Sequence, residues 1–296
     1  MVTTPSPCDK ARTLQRTILR HREGTACVSE DAILVESPLE IVINGVPWAA
    51  LMCTPGSDED LALGFCLTEG LLRPDEPYTV DGDEATREGL RIILSMPGGA
   101  ARVHAAIQGR GMRLGASCSG NRNATCTREL VRPVHMVPSG YAVAPDQLYR
   151  LQTESEACQA LFSSTGATHF CALYDTEQTL LAYAEDVGRH NALDKAVGQA
   201  FRQGRFADIR MVLLSSRLSF EMVQKAIAIN AQVVAGFSAV TSRAVHLAEA
   251  AGLTLIGFLR TPRLNVYTHP ERLGLRLPDT EQADRPGESF RVEDRF

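Results

Sequence analysis

The chain has 296 residues, 44% of them hydrophobic and 22% charged, which is enough apolar material for one large core or two modest ones. The formal net charge is −5 and the positive charge is almost all arginine, so no basic run or basic domain points to a nucleic-acid partner. No apolar run has the length of a membrane span, and residues 1–22 lack the apolar core of a signal peptide, so no membrane partner and a cytoplasmic location are expected.

Residues 1–26 mix prolines and charges without a sustained period and read as a tail, or as a strand added at a sheet edge. A β-rich module is expected over 27–135. From Ala32 to Cys53 apolar residues surround Asn44-Gly45, the dipeptide that supplies both positive φ angles of a type I′ hairpin. Ser57-Asp58-Glu59-Asp60 then opens a helix with a cap residue and early acids. Leu90–Met96 and Ala101–Ile107 follow as strand candidates on either side of Pro97-Gly98-Gly99.

The segment from Gly109 to Arg122 is rich in glycine and arginine and reads as an exposed loop. Within it Cys118 stands among small residues with Arg113 and Arg122 close in sequence, a setting that favours a thiolate. The residues alone also fit a linker cysteine without a role. The other cysteines are scattered, with no C-x-x-C pair, and Cys53, Cys66, Cys158 and Cys171 read as small core residues; no permanent metal is expected.

Beyond a boundary near 135, residues 136–270 alternate between helix-sized and strand-sized segments and predict an α/β domain, followed by a tail over 271–296. The expected order is helix Pro145–Ser163 ended by Gly166, strands His169–Asp175 and Leu180–Tyr183, and a helix from His190. Strand Arg210–Leu214, helix Ser219–Asn230, strand Gln232–Ala235, helix Thr241–Ala250 and strand Leu253–Phe258 complete it. The stretch from Glu185 to Lys195 places Asn191, Asp194 and Lys195 on one helix face behind Gly188. That pattern fits either an anion site at a helix N-terminus or a capped helix with surface ion pairs. Ser215–Lys225, Ser238–Arg243 and Phe258–Arg263 follow strand ends, where α/β sheets collect ligands. No P-loop or dinucleotide glycine fingerprint is present.

Four stretches carry a resemblance: Leu61–Leu72, the Asp186-Val187-Gly188-Arg189-His190-Asn191-Ala192-Leu193-Asp194-Lys195 block, Ser219–Lys225 and Gly252–Phe258. They resemble the formate dehydrogenase accessory sulfurtransferase family, FdhD. The resemblance implies a three-layer, cytidine-deaminase-like mixed sheet with a smaller N-terminal β-rich module. It further implies a homodimeric sulfur carrier that takes persulfide sulfur from a cysteine desulfurase. The acceptor would be the bis-molybdopterin guanine dinucleotide form of the molybdenum cofactor, destined for formate dehydrogenase; a guanine nucleotide would mimic it. Cys118 corresponds to the family's persulfide cysteine, and Phe258, Leu259, Arg260, Thr261, Pro262 and Arg263 to its cofactor contact. Asn121 stands where the family has a second loop cysteine, and Cys126 lies eight residues beyond Cys118. A non-enzymatic cofactor chaperone is the alternative, whereas a nucleoside deaminase lacks its zinc-ligand pattern here.

Overall fold

A computed structural model describes residues 11–85, 89–109 and 135–276. Strands β1 (Thr13–Arg22) and β2 (Thr25–Leu34) form an antiparallel ribbon over a tight turn in which Glu23 and Gly24 both have positive φ. Of the two readings of this segment, the structure from Thr13 is the strand and not the tail, paired in a ribbon of its own and not at a sheet edge. The charges that masked it are cross-strand partners: Thr17 donates to Glu30 at 2.6 Å, and Arg20 meets Asp31 at 3.4 Å.

Strands β3 (Ser37–Ile43) and β4 (Val46–Cys53) make the expected hairpin, with φ of 48° at Asn44 and 78° at Gly45. Helix α1 (Asp58–Thr68) follows, but Ser57 makes no side-chain cap; the Asp58 carboxylate instead accepts from the Gly56 amide at 3.2 Å. Strands β5 (Thr79–Ala85) and β6 (Leu90–Ser95) complete a four-stranded sheet in the order β4-β3-β6-β5, in which β3 and β6 run parallel. The segment expected as a strand over Ala101–Ile107 is helical, α2 (Gly99–Gly109). Its alanines at 100, 101, 105 and 106 favour a helix more than its valine and isoleucine favour a strand.

The single helix expected from Pro145 to Ser163 is two, α3 (Pro145–Glu156) and α4 (Ala160–Thr165), the second ending on left-handed Gly166 as expected. Then come β7 (His169–Tyr174), β8 (Leu180–Asp186), α5 (Arg189–Arg202), β9 (Met211–Leu214), α6 (Phe220–Ala228), β10 (Val233–Gly236), α7 (Ser242–Ala251), β11 (Thr254–Arg260) and β12 (Arg263–Thr268). They give a six-stranded mixed sheet in the order β12-β11-β10-β9-β7-β8. Strands β9, β10 and β11 are parallel, linked through α6 and α7, and β12 returns antiparallel on β11. The fold is mixed α/β.

Two compact units share these elements. The first contains the described part of Met1–Pro133 with Gln159–Ala172 and Ala182–Ala207; the second contains Val134–Cys158, Leu173–Leu181 and the described part of Asp208–Phe296. The expected division near 135 falls at one of several passages between the units, and α4 and α5 belong to the first.

In the first unit α1 packs on α5 at backbone distance. A Cβ built on Gly64 would lie 1.8 Å from the Asp194 carbonyl oxygen, and one on Gly198 would lie 1.9 Å from that of Asp60. Both positions need glycine for approach. In the second unit Tyr141 is 4% exposed, its backbone amide bonds Gln232, and its hydroxyl has no hydrogen-bond partner among the described residues. Burial first, and the Asp175 charge second, push its pKa above the ordinary 10.0.

Two stability measurements follow from this packing. Gly198→Ala should cost about 2–3 kcal/mol, because an added methyl must drive two helices apart; equilibrium urea unfolding reads it, and a loss below ~0.5 kcal/mol would mean that the helices separate freely. Tyr141→Phe should be neutral or stabilising by about 1 kcal/mol, since it removes a buried hydroxyl that makes no bond. The folded state also holds the Tyr141 proton more tightly than the unfolded state, so stability falls as pH rises past the unfolded value near 10. That alkaline decline should be shallower in Tyr141→Phe.

Candidate functional site

The Glu185–Lys195 stretch is a buried lattice of polar contacts in the first unit. Strand β8 ends at Asp186, Val187-Gly188 turns the chain, and α5 begins at Arg189. Asp186, Asp194 and Lys195 are respectively 0%, 0% and 3% exposed. The Lys195 ammonium lies 2.7 Å from Asp186 Oδ2 and donates to the Thr54 carbonyl at 2.6 Å. Asp186 Oδ2 also accepts from the Thr54 amide at 3.0 Å, while Oδ1 accepts from the Gly188 amide at 2.8 Å and Asn191 Nδ2 at 2.9 Å. Asn191 Nδ2 reaches the Met52 carbonyl as well, the Val187 amide donates to Thr54 Oγ1, and Thr68 Oγ1 donates to Asp194.

The surface-pair expectation is therefore corrected, because Asp194 and Lys195 are buried. The Val187 and Gly188 amides and Asn191 Nδ2 bond within the protein, whereas Arg189 Nε has no hydrogen-bond partner among the described residues. A Cβ on Gly188 would stand 2.8 Å from Asn191 Nδ2, so the turn closes on its own helix. Glu185 is similarly occupied, accepting from the Leu161 and Phe162 amides at the start of α4 and from Thr168 Oγ1.

The thiols divide by burial. Cys53, Cys66 and Cys171 are buried, Cys158 is half-buried and Cys27 is exposed. Burial, with the Asp194 charge second, pushes the Cys171 thiol well above its ordinary range and makes it a poor nucleophile. Cys118, Arg113, Asn121, Arg122 and Cys126 lie outside the described residues. Among the described residues no three His, Cys, Asp or Glu side chains are grouped to hold a metal ion.

In the second unit, Phe258–Arg263 is not a segment beyond the last strand. Strand β11 runs on to Arg260, Thr261-Pro262 forms the turn, and Arg263 starts β12; the short polar link had read as an open end. A cavity of about 470 Å³ opens here, lined by Leu259, Arg260 and Thr261, by Phe237, and by Gln152, Thr153 and Glu156 of α3. Phe258, Pro262 and Arg263 belong to the same turn but not to this lining. One guanidinium, one carboxylate, two threonine hydroxyls and an amide offer both donors and acceptors, within the size range of small-molecule sites. The three α3 residues were not singled out in the sequence; Gln152 and Glu156 stand at i and i+4, but nothing local ties them to a turn 109 residues on.

Of the other strand-end loops, Leu218 and Val240 pair as a parallel bridge, closed by Leu218 N to Ala239 O and Thr241 N to Leu218 O. Ser219 and Thr241 occupy the N-cap positions of α6 and α7 with extended backbones, yet neither side chain makes a capping bond. Lys225 is buried.

The buried pair yields a stability test. Lys195→Met leaves Asp186 charged and unpaired in the interior and should cost about 3–5 kcal/mol, whereas Lys195→Met with Asp186→Leu should recover part of that loss. Urea unfolding of these two variants and of Asp186→Leu alone measures it, and a double variant as unstable as the sum of its singles would deny the pairing.

A family model described as the FdhD/NarQ family matches residues 34–274. A protein of Xanthomonas axonopodis pv. citri named sulfur carrier protein FdhD is 36% identical over 269 residues, covering 90% of this chain and 95% of its own. One of the same name from Anaeromyxobacter dehalogenans is 38% identical over 276 residues, covering 89% and 94%. The crystal structure of a protein described as a formate dehydrogenase accessory protein, from Desulfotalea psychrophila, superposes with a TM-score of 0.70 at 21% identity, over 89% of this chain and all of that one; it shares the fold. With a family model spanning most of its length and such relatives along nine-tenths of it, the chain belongs to the FdhD/NarQ family.

Proposed function

We propose that this protein is a sulfur carrier in formate dehydrogenase maturation, a sulfurtransferase that moves persulfide sulfur from a cysteine desulfurase to the molybdenum cofactor. Cys118 carries the sulfur, and the turn over Phe258, Leu259, Arg260, Thr261, Pro262 and Arg263 holds the bis-molybdopterin guanine dinucleotide acceptor. The protein acts in the cytoplasm as a homodimer, and the family's deaminase-like layering belongs to the same reading. The observation that carries it is the cavity: Leu259, Arg260 and Thr261, half of the contact that the resemblance assigns to the cofactor, line it. The full-length relatives named sulfur carrier protein FdhD support the same reading.

In the loading step the Cys118 thiolate attacks the outer sulfur of the desulfurase persulfide. The donor S–S bond breaks, the desulfurase cysteine leaves as a thiolate, and the outer sulfur with its proton stays on Cys118. Release of that sulfur as sulfide consumes two electrons from a second thiol, which ends in a disulfide with Cys118. With Asn121 in place of the family's second loop cysteine, that thiol is Cys126 or belongs to another molecule. The same replacement favours a second reading, in which the protein binds and delivers the cofactor without transferring sulfur.

Intact mass after incubation with a cysteine desulfurase and cysteine separates the two. Wild type should gain the mass of one sulfur, Cys118→Ala should gain none, and Cys126→Ala should load normally. Uptake that persists in Cys118→Ala would remove this residue as the carrier. No uptake in any form, with cofactor binding intact, would establish the chaperone.

A further inference from the structure

We propose that Gln152 is the positioning residue of the Phe258–Arg263 turn, with Glu156 setting the orientation of its amide; this rests on the reading that the turn binds the nucleotide part of the cofactor. Helix α3 is a firm base for such a role. Pro145 stands at its start, Gln147 Oε1 accepts the Ala144 amide at 2.8 Å, and Leu148 and Leu151 are 0% and 1% exposed.

One turn along the helix, Gln152 Nε2 donates to Glu156 Oε1 at 2.5 Å. A carboxylate accepts and never donates when ionised, so this contact fixes which end of the amide is nitrogen. The amide oxygen is thereby left to Thr261, and it accepts both the Thr261 backbone N–H at 3.2 Å and Thr261 Oγ1 at 2.9 Å. The turn does not need this anchor to exist, because Arg260 and Arg263 already pair across it. The two extra bonds set where Thr261, and with it the Arg260 backbone, stands against the cavity. Gln152 and Glu156 also line that cavity, so the anchor and the binding wall are one surface.

Two readouts test this, one without ligand. Gln152→Met keeps the length of the side chain and removes both contacts. In the free protein it should speed hydrogen exchange at the Thr261 amide roughly tenfold, the effect of one lost hydrogen bond. It should also weaken binding of GDP, used as the probe, by a similar factor of roughly three to ten, with the denaturation midpoint little changed. Gln152→Glu combined with Glu156→Gln rebuilds both contacts with the charge moved, and should restore the Thr261 protection. Unchanged Thr261 exchange in Gln152→Met overturns the proposal. So does faster exchange with unaltered GDP affinity, or a paired exchange variant that fails to recover protection. If wild type does not bind GDP, the cofactor-site reading fails and the positioning role falls with it.

Discussion

The contact on which the first unit depends is the ion pair between Lys195 and Asp186, a 2.7 Å contact with essentially no solvent on either side. Two charges taken out of water cost several kcal/mol each, and their mutual attraction offsets this only when the remaining lone pairs and protons are bonded. Here they are. The two carboxylate oxygens together accept from the Thr54 and Gly188 amides and from Asn191, and the ammonium also reaches a carbonyl. Through these bonds the pair ties the chain leaving β4 to the end of β8 and the first turns of α5. A compact ammonium suits the place better than a guanidinium fork, in a chain whose cations are otherwise nearly all arginine.

The rest of that unit accommodates the pair. Thr54 supplies its amide and carbonyl to the pair and its hydroxyl to the Val187 amide, so the chain leaving β4 is fixed at three atoms. Helix α5 must bring Asn191, Asp194 and Lys195 to the same face while lying against α1, and Gly64 and Gly198 permit that approach. Polar residues at the turn of the second unit have the opposite fate. Arg260, Thr261 and Glu156 are exposed around a cavity, so their donors and acceptors can meet a ligand. The same residue types thus serve as internal fastening in one unit and face solvent around a cavity in the other, and burial decides which.

This is also why some of the molecule was legible in the sequence and some was not. The Asn44-Gly45 hairpin, the stop of α4 at Gly166 and the strand–helix alternation after Arg210 are local, set by backbone sterics and by periodicity within a few residues. The β1–β2 ribbon looked like a tail because its charges are neutralised by residues 11 to 13 positions away. Lys195 and Asp186 gave no sign of being buried, since their spacing serves a surface pair equally well. At the cavity, the strand-end position and the resemblance pointed to Arg260 and Thr261. The α3 wall was hidden, because an amide that holds a turn 109 residues away leaves no local pattern.

The geometry of that turn has a local cause as well. Between Gly257 and Arg260 strand β11 advances three residues while β12 advances two, from Asn265 to Arg263, so β11 carries one extra residue. Phe258 takes it up with φ of 51°, a left-handed conformation that costs a bulky residue roughly 1–2 kcal/mol. Its amide is held by the Ser238 carbonyl at 3.0 Å, which helps to offset that cost. In an unbroken strand, successive side chains alternate strictly, and a one-residue shift exchanges the two faces. Beyond the bulge Leu259 is buried in the core, and Arg260 is exposed at the cavity beside Thr261. Arg260 is thus flanked by two local constraints, the left-handed Phe258 on one side and the Gln152 contacts to Thr261 on the other.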